Sequence, residues 1–172
     1  MADPGRHPAN GRESTSASFS EWGALSHQLI GQLALIEWQL NLDLALFIAR
    51  DAWSVPSALR LVERLPIGDR TKLLDEIDRP DDGLPQTTAA WLRELSAVRN
   101  ELAHSWIVSA TRDSATYRSF FRGRHRPFSL SRDEMANLQR KALRVHVNLT
   151  WLETLVGDPD VWAATMGFSE RD

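Results

Sequence analysis

The chain has 172 residues, enough for a single domain with a buried core. Its 20 Lys and Arg residues against 23 Asp and Glu residues give a formal net charge of −3, so it lacks the global positive field of many nucleic-acid-binding proteins. It contains no cysteine, which excludes disulfides, thiolate catalysis and cysteine-ligated zinc.

The N-terminal third predicts a tail followed by one long helix. Residues 1–17 are rich in Pro, Gly and Ser and show no periodicity, so we expect a disordered tail. Ser18 and Glu21 form a capping-box pattern, which predicts a helix from there to about Arg50. Asp43 falls within the apolar residues of this helix, where a solvated helix end or a structural ion pair explains it better than catalysis.

Two apolar rows run along this predicted helix. The first predicts a core face, and the second predicts contact with another subunit, because a small domain does not bury both sides of so long a helix. We therefore expect a homodimer. The main row is Trp22, Leu25, Leu29, Leu33, Ile36, Leu40, Leu44 and Phe47, and the second is Leu35, Trp38, Leu42 and Leu46.

Shorter elements are predicted next. Pro56 can start a helix to about Leu65, and Asp69 can cap another through Ile77. Residues 79–85 have the composition of a turn-forming linker.

A further helix is predicted from Gln86 or Thr87 to about Trp106, with an apolar stripe that should face the core. At about 100° per residue, Asn100 and His104 fall opposite this stripe, while Arg99 lies roughly 140° from His104. One regular helix cannot easily aim Arg99 and His104 at a single phosphate. Either the helix is irregular there, or two copies of the chain combine to form a site. The stripe is Trp91, Leu95, Val98, Leu102 and Trp106.

Arg99, Asn100 and His104 are our candidate catalytic residues, because they suit metal-independent cleavage of RNA. Histidine moves protons near neutral pH, and a guanidinium matches the charge that develops on a phosphorane. The amide of Asn100 can hold the histidine or the phosphate, and the natural nucleophile is the neighbouring 2′-hydroxyl of RNA. A surface helix can also carry these residue types without any function.

The Arg-Asn pair, the small residue before His104 and the following Ser105-Trp106 resemble the Arg-x4-His signature of HEPN (higher eukaryotes and prokaryotes nucleotide-binding) domains. Many of these helical domains are RNA-cutting toxins or defence effectors. The resemblance implies an endoribonuclease that leaves 2′,3′-cyclic phosphate and 5′-hydroxyl ends, with its site built across a homodimer. In that scheme His104 shuttles protons and Arg99 stabilises the phosphorane. Asn100 orients either His104 or Arg99.

One departure from the family pattern concerns a partner protein. In HEPN toxins paired with a nucleotidyltransferase antitoxin, a tyrosine stands two residues after the histidine and is the modification target. Trp106 occupies that place in this chain. The resemblance therefore does not extend to neutralisation by nucleotide transfer, and an antitoxin or regulatory partner stays an open expectation.

The segment after the motif predicts a small β-hairpin or an irregular loop, because short apolar runs at 106–108 and 117–121 flank a polar turn. Residues 112–132 interleave arginines with aromatic residues, a pattern that suits single-stranded RNA. A solvated loop whose aromatic residues pack on the core explains the same pattern equally well. The candidate RNA-binding residues are Arg118, Arg122, Arg124 and Arg126.

Ser131 and Glu134 form a second capping box, which predicts a helix to about Val156 that Gly157 ends. Residues 158–172 then form a short polar tail. We predict an all-α protein, a HEPN-like helical bundle with a small β-hairpin or loop insertion after the motif helix, as one domain over 18–157. The stripe expected in the last helix is Met135, Leu138, Ala142, Val145, Leu149, Leu152 and Leu155 or Val156.

Other functions find less support. No metal-ligand spacing and no phosphate-cradling glycine motif stands out, so we expect no cofactor and no metal. No apolar run reaches membrane-spanning length free of polar residues, and the N-terminus lacks the hydrophobic core of a signal peptide, which together predict a cytoplasmic location. The main rival is a non-catalytic helical module, either HEPN-like or similar to mannitol-operon repressors, which the overall acidity favours. Nucleotide binding without hydrolysis has no separate sequence support.

Overall fold

The computed structural model describes the backbone of residues 10–52, 54–77, 88–119 and 126–157, and the side chains of 18–49, 54–76, 88–119 and 127–150. Helices and strands follow one another in the order α1 (Asn10–Ala52), α2 (Val55–Arg64), α3 (Ile67–Ile77), α4 (Thr88–Ala103), β1 (Ser105–Ala110), β2 (Ser114–Ser119), β3 (Arg126–Ser131) and α5 (Arg132–Gly157).

The predicted all-α class is wrong. Helices dominate the described residues, but β1, β2 and β3 form an antiparallel sheet in that order. The hairpin of β1 and β2 lies where a hairpin or loop was expected, whereas β3 was not predicted. Pro127 weakens the strand pattern of β3 because it removes a ladder hydrogen bond, and the structure accommodates it on an edge strand.

Helix α1 forms the centre of the fold and packs against α2, α4, α5 and the sheet. It begins at Asn10 rather than Ser18, so the Ser18–Glu21 pair lies inside the helix and the helix extends into the predicted tail. Residues 1–9 lie outside the described part of the chain. Asp43 is 0% exposed, which excludes a solvated helix end.

The predicted main row of α1 is confirmed as the core face, and the second row behaves differently. Leu35 and Trp38 are 66% and 60% exposed, whereas Leu42 and Leu46 are half-buried. Leu25 and Phe47 of the main row are also half-buried. The fully buried members of that row are Trp22, Leu29, Leu33, Ile36, Leu40 and Leu44.

The sheet is attached to α1 through aromatic side chains. Trp22 Nε1 donates to the carbonyl of Thr111 at 2.8 Å, and the hydroxyls of Ser26 and Tyr117 lie 2.9 Å apart. Tyr117 stacks on Phe128 with ring centroids 5.0 Å apart. Burial raises the pKa of the Tyr117 hydroxyl, and the hydrogen bond with Ser26 partly offsets this. The sheet therefore contributes to the core rather than projecting from it.

The capping box predicted for α5 is confirmed. The backbone N–H of Ser131 donates to Glu134 Oε2 at 2.7 Å, and the N–H of Glu134 donates to Ser131 Oγ at 3.2 Å. The bond from the Ser131 backbone lowers the pKa of the Glu134 carboxyl. Leu152, Leu155 and Val156 of the predicted stripe lie outside the described side chains. The buried members of the stripe are Met135, Leu138, Ala142, Val145 and Leu149.

The segment Ser18–Ala49 of α1 meets the length and composition of a membrane span, with a mean hydropathy of 1.2 over its window. The core helix of a soluble protein and a signal sequence meet the same criteria, and 39% of this window is buried. The finding is weak evidence and suits either a soluble protein or a membrane or signal segment.

Candidate active site at the end of helix α4

The predicted catalytic residues lie where α4 ends. The helix stops at Ala103 rather than about Trp106, and the chain turns at His104 into β1. Ser105 Oγ donates to the carbonyl of Leu102 at 3.0 Å, which satisfies one acceptor of the last helical turn. Because His104 lies beyond the end of the helix, the angle between its side chain and that of Arg99 is not set by the geometry of a regular helix.

The stripe predicted for this helix is only partly a core stripe. Leu95 and Leu102 are buried, and Trp91 and Val98 are half-buried. Trp106 belongs to β1 and is 39% exposed. The helical-wheel prediction is wrong at Trp106 because the helix has ended before this residue and the backbone there is an extended strand.

Arg99 is held between two helices. Its Nη1 lies 3.7 Å from Glu37 Oε1 of α1, with Arg99 34% and Glu37 20% exposed. The same Nη1 donates to Asn100 Oδ1 at 3.5 Å. The Arg99 Nε atom is buried, and no residue in the described part of the chain accepts a hydrogen bond from it.

These contacts position the Arg99 guanidinium without saturating it. A guanidinium carries five N–H donors, and the distance of 3.7 Å to Glu37 is too long for a strong hydrogen-bonded ion pair. Arg99 can therefore still bind phosphate oxygens through its unused donors, while Glu37 restricts where the side chain points.

The structure brings Arg99 and Asn100 into contact, whereas His104 stands on the turn that follows. Asn100 is half-buried and His104 is exposed. An exposed imidazole at the end of a helix is accessible to a large substrate such as RNA.

Sequence reasoning did not find Glu37. It is the only acidic residue between Glu21 and Asp43, and it falls between the two apolar rows of α1. This position was the one sequence feature that could have pointed to Glu37, because an acidic residue at the border of a core face often pairs with a basic residue of another helix or strand. Its partner depends on how α1 packs against α4, which the sequence pattern does not specify.

The structure places two of the four predicted RNA-binding arginines, Arg118 and Arg126, on adjacent strands of the sheet. Arg118 is exposed on β2, and Arg126 begins β3, where its backbone pairs with Ser119. Arg122, Arg124 and the side chain of Arg126 lie outside the described part of the chain. The RNA-binding prediction therefore stays a prediction.

Arg132, in the same basic segment, has a structural role. It donates from Nη2 to Glu21 Oε1 at 2.8 Å and from Nε to the carbonyl of Arg112 at 3.0 Å. Its guanidinium carbon also lies 5.8 Å from the centroid of the Trp22 ring. These contacts join the start of α5 to α1.

Among the residues whose side chains are described, no group of three or more His, Asp and Glu side chains could hold a metal ion.

Comparisons of the chain with protein-family models, curated proteins and solved structures find no match. The HEPN resemblance therefore rests on the residues of the chain itself.

Proposed function

We propose that this chain is a metal-independent endoribonuclease of the HEPN type, acting as a toxin or defence effector in the cytoplasm. The observation that carries the proposal is the incompletely satisfied guanidinium of Arg99 within the motif. A buried donor without an acceptor is uncommon in folded proteins and costs about 1–3 kcal/mol. Nε is closed to solvent, so a phosphate would bind Arg99 through the exposed part of its guanidinium, which carries further donors.

In the proposed reaction, the 2′-hydroxyl oxygen of one nucleotide attacks the adjacent phosphorus. The P–O2′ bond forms and the P–O5′ bond breaks, which leaves a 2′,3′-cyclic phosphate and a 5′-hydroxyl. His104 accepts the proton of the attacking hydroxyl and supplies the proton that the leaving oxygen takes up. Arg99 stabilises the charge on the phosphorane, and Asn100 orients Arg99 through the contact at 3.5 Å.

The proposal is tested by incubating the purified chain with single-stranded RNA in excess chelator. We expect the wild-type protein to cut the RNA and His104→Ala to lose the activity. Protein that leaves RNA intact under these conditions would contradict the proposed function.

We also propose that the active unit is a homodimer. Helices α1 and α5 each expose large apolar side chains, with Leu35 66%, Trp38 60%, Leu143 63% and Val147 52% exposed. A groove of about 100 Å³ lies between the two helices, and Leu35 and Leu143 line it. Large exposed apolar patches mark interaction sites in soluble proteins, and a second copy of the chain would cover this surface.

We expect wild-type protein to sediment as a dimer at micromolar concentration and Leu143→Glu to sediment as a monomer. A carboxylate in the centre of an apolar interface would lose its hydration without gaining a partner. Leu61→Glu is the matched control, because Leu61 is 42% exposed on α2 and should leave the dimer intact. A wild-type monomer of 19.4 kDa across the micromolar range would contradict this assembly.

Arg118, Arg122, Arg124 and Arg126 are the residues that we propose bind the RNA strand. Replacing all four with Gln should weaken binding of an RNA that cannot be cut because its 2′-oxygens are methylated. The salt dependence of binding should also become shallower, since each lost phosphate contact lowers the slope by about 0.7 for a single strand. Fluorescence anisotropy at several salt concentrations measures both. Unchanged affinity and slope would assign the segment to structure.

The second candidate function is a non-catalytic interaction module. The apolar surface of α1 and α5 favours it, since that surface would bind a protein partner whether or not the chain cuts RNA. An antitoxin or regulator that covers His104 would combine the two functions. A chain that forms a stable complex but leaves RNA intact would support the module over the nuclease.

A further inference from the structure

Glu37 reaches the candidate active site from α1, whereas the three predicted catalytic residues all lie at the end of α4. Its Oε1 lies 3.7 Å from Arg99 Nη1, and its side chain is only 20% exposed. Glu21 and Glu94, which also pair with a cation of another helix, are 50% and 46% exposed. A carboxylate at the depth of Glu37 loses part of its hydration, so its charge needs a specific partner, and Arg99 provides it.

The contacts of Arg99 fix the plane of its guanidinium. Nη1 lies against Glu37 and donates to Asn100 Oδ1 at 3.5 Å, while Nε is buried within the protein. A guanidinium is rigid and planar, so holding Nη1 and Nε also sets the direction of Nη2. Without Glu37, the long side chain of Arg99 would lose its contact with α1 and regain rotamer freedom.

A carboxylate beside a phosphate-binding arginine has two opposite effects. It holds the guanidinium in one direction, which favours the transition state because the charge on the phosphorane develops at one place. It also offsets part of the positive charge of Arg99, which weakens the attraction for the phosphate of the bound substrate. Such a contact raises the rate while lowering the affinity, as expected of a site that is complementary to the transition state.

We propose that Glu37 is a positioning residue, which acts through Arg99 and raises the rate of cleavage while lowering the affinity for RNA. The inference rests on the proposed nuclease function and assigns α1 a part in the reaction. A purely structural contact between α1 and α4 would instead contribute to stability and leave the rate unchanged.

Glu37→Gln separates positioning from structure, because it keeps the size of the side chain and removes its charge. We expect the single-turnover rate of RNA cleavage to fall about 10- to 100-fold, since a misplacement of about 1 Å costs on the order of 10²-fold. RNA with methylated 2′-oxygens, which cannot be cut, should bind as tightly as to wild type or more tightly. Glu37→Asp keeps the charge on a shorter side chain and should cut at a rate between those of Glu37→Gln and wild type.

Glu21→Gln is the matched control. Glu21 is also a glutamate of α1 that pairs with an arginine of another helix, since its Oε1 lies 2.8 Å from Arg132 Nη2. That contact joins α1 to the start of α5 and not to the motif. We expect Glu21→Gln to cut RNA within about twofold of the wild-type rate, because an exposed ion pair contributes little. Melting curves for both variants establish whether the fold is retained.

The double variant Glu37→Gln with Arg99→Ala tests whether Glu37 acts through Arg99. Removing an electrostatic donor such as Arg99 should by itself slow cleavage by about 10²–10³-fold. If Glu37 acts only on Arg99, its replacement adds no further loss, because the effects of residues that act as a unit are not additive. A double variant slower than Arg99→Ala by the factor seen for Glu37→Gln alone would show an independent role and overturn the proposal.

The outcomes distinguish a failure of this inference from a failure of the proposed function. Glu37→Gln that cuts RNA at the wild-type rate overturns the role of Glu37 but keeps the nuclease. So does a folded Glu37→Gln protein whose rate and RNA affinity fall together, since positioning predicts that only the rate falls. If Glu37→Gln does not fold, Glu37→Asp that cuts at the wild-type rate overturns the role instead. Wild-type protein that leaves RNA intact overturns the nuclease and this inference with it.

Discussion

Replacing His104 with Ala should slow the cleavage of single-stranded RNA by about 10²–10⁴-fold, the usual loss when a proton-transfer group is removed. His104 is exposed on the turn after α4, so its replacement should not alter the core. The measurement is the single-turnover rate of cutting a labelled RNA in excess chelator. The loss should be in the rate and not in the binding of methylated RNA.

Glu101→Ala provides the control for the His104 variant. Glu101 is exposed on the last turn of α4, close to the motif but without a proposed role in the reaction. We expect it to cut RNA within a few-fold of the wild-type rate. Cleavage by His104→Ala at the wild-type rate would contradict the proposed role of the histidine and would indicate a contaminating nuclease.

Replacing Trp22 with Ala should lower the free energy of unfolding by about 3–5 kcal/mol, the typical cost of truncating a buried aromatic side chain. Trp22 is 0% exposed and its Nε1 hydrogen bond to the carbonyl of Thr111 at 2.8 Å attaches the sheet to α1. Denaturation by urea, followed by circular dichroism, measures the change.

Trp22→Phe separates the two contributions of the indole. It keeps most of the apolar ring but removes the donor, so we expect a smaller loss of about 0.5–1.5 kcal/mol. If Trp22→Ala cost less than about 1 kcal/mol, the sheet would not depend on this side chain as described.

Local patterns predicted the helices well because their causes are local. The main row of α1 is buried as its periodicity indicates, and Ser131 and Glu134 form a capping box within a single turn. The sheet was harder to predict from sequence. Strand β3 contains Pro127 and depends on pairing with β2 for its structure, and such pairing is a tertiary property.

In the candidate site, too, the contact between sequence neighbours could be predicted and the contact that depends on tertiary packing could not. The contact between Arg99 and Asn100 joins neighbours in the sequence, and the motif itself drew attention to both. Glu37 is distant in sequence and meets Arg99 only because α1 packs against α4. The helical-wheel prediction also placed His104 within the helix, whereas the helix ends one residue before it, at Ala103.

The chemistry of the cut ends tests the central claim most directly. A short single-stranded RNA and a matched DNA are incubated with the purified chain in excess chelator, and the products are analysed by mass spectrometry. Our account predicts that only the RNA is cut, leaving 2′,3′-cyclic phosphate and 5′-hydroxyl ends, because the 2′-hydroxyl is the nucleophile. Intact RNA, cutting of the DNA, or products with 5′-phosphate and 3′-hydroxyl ends would contradict it.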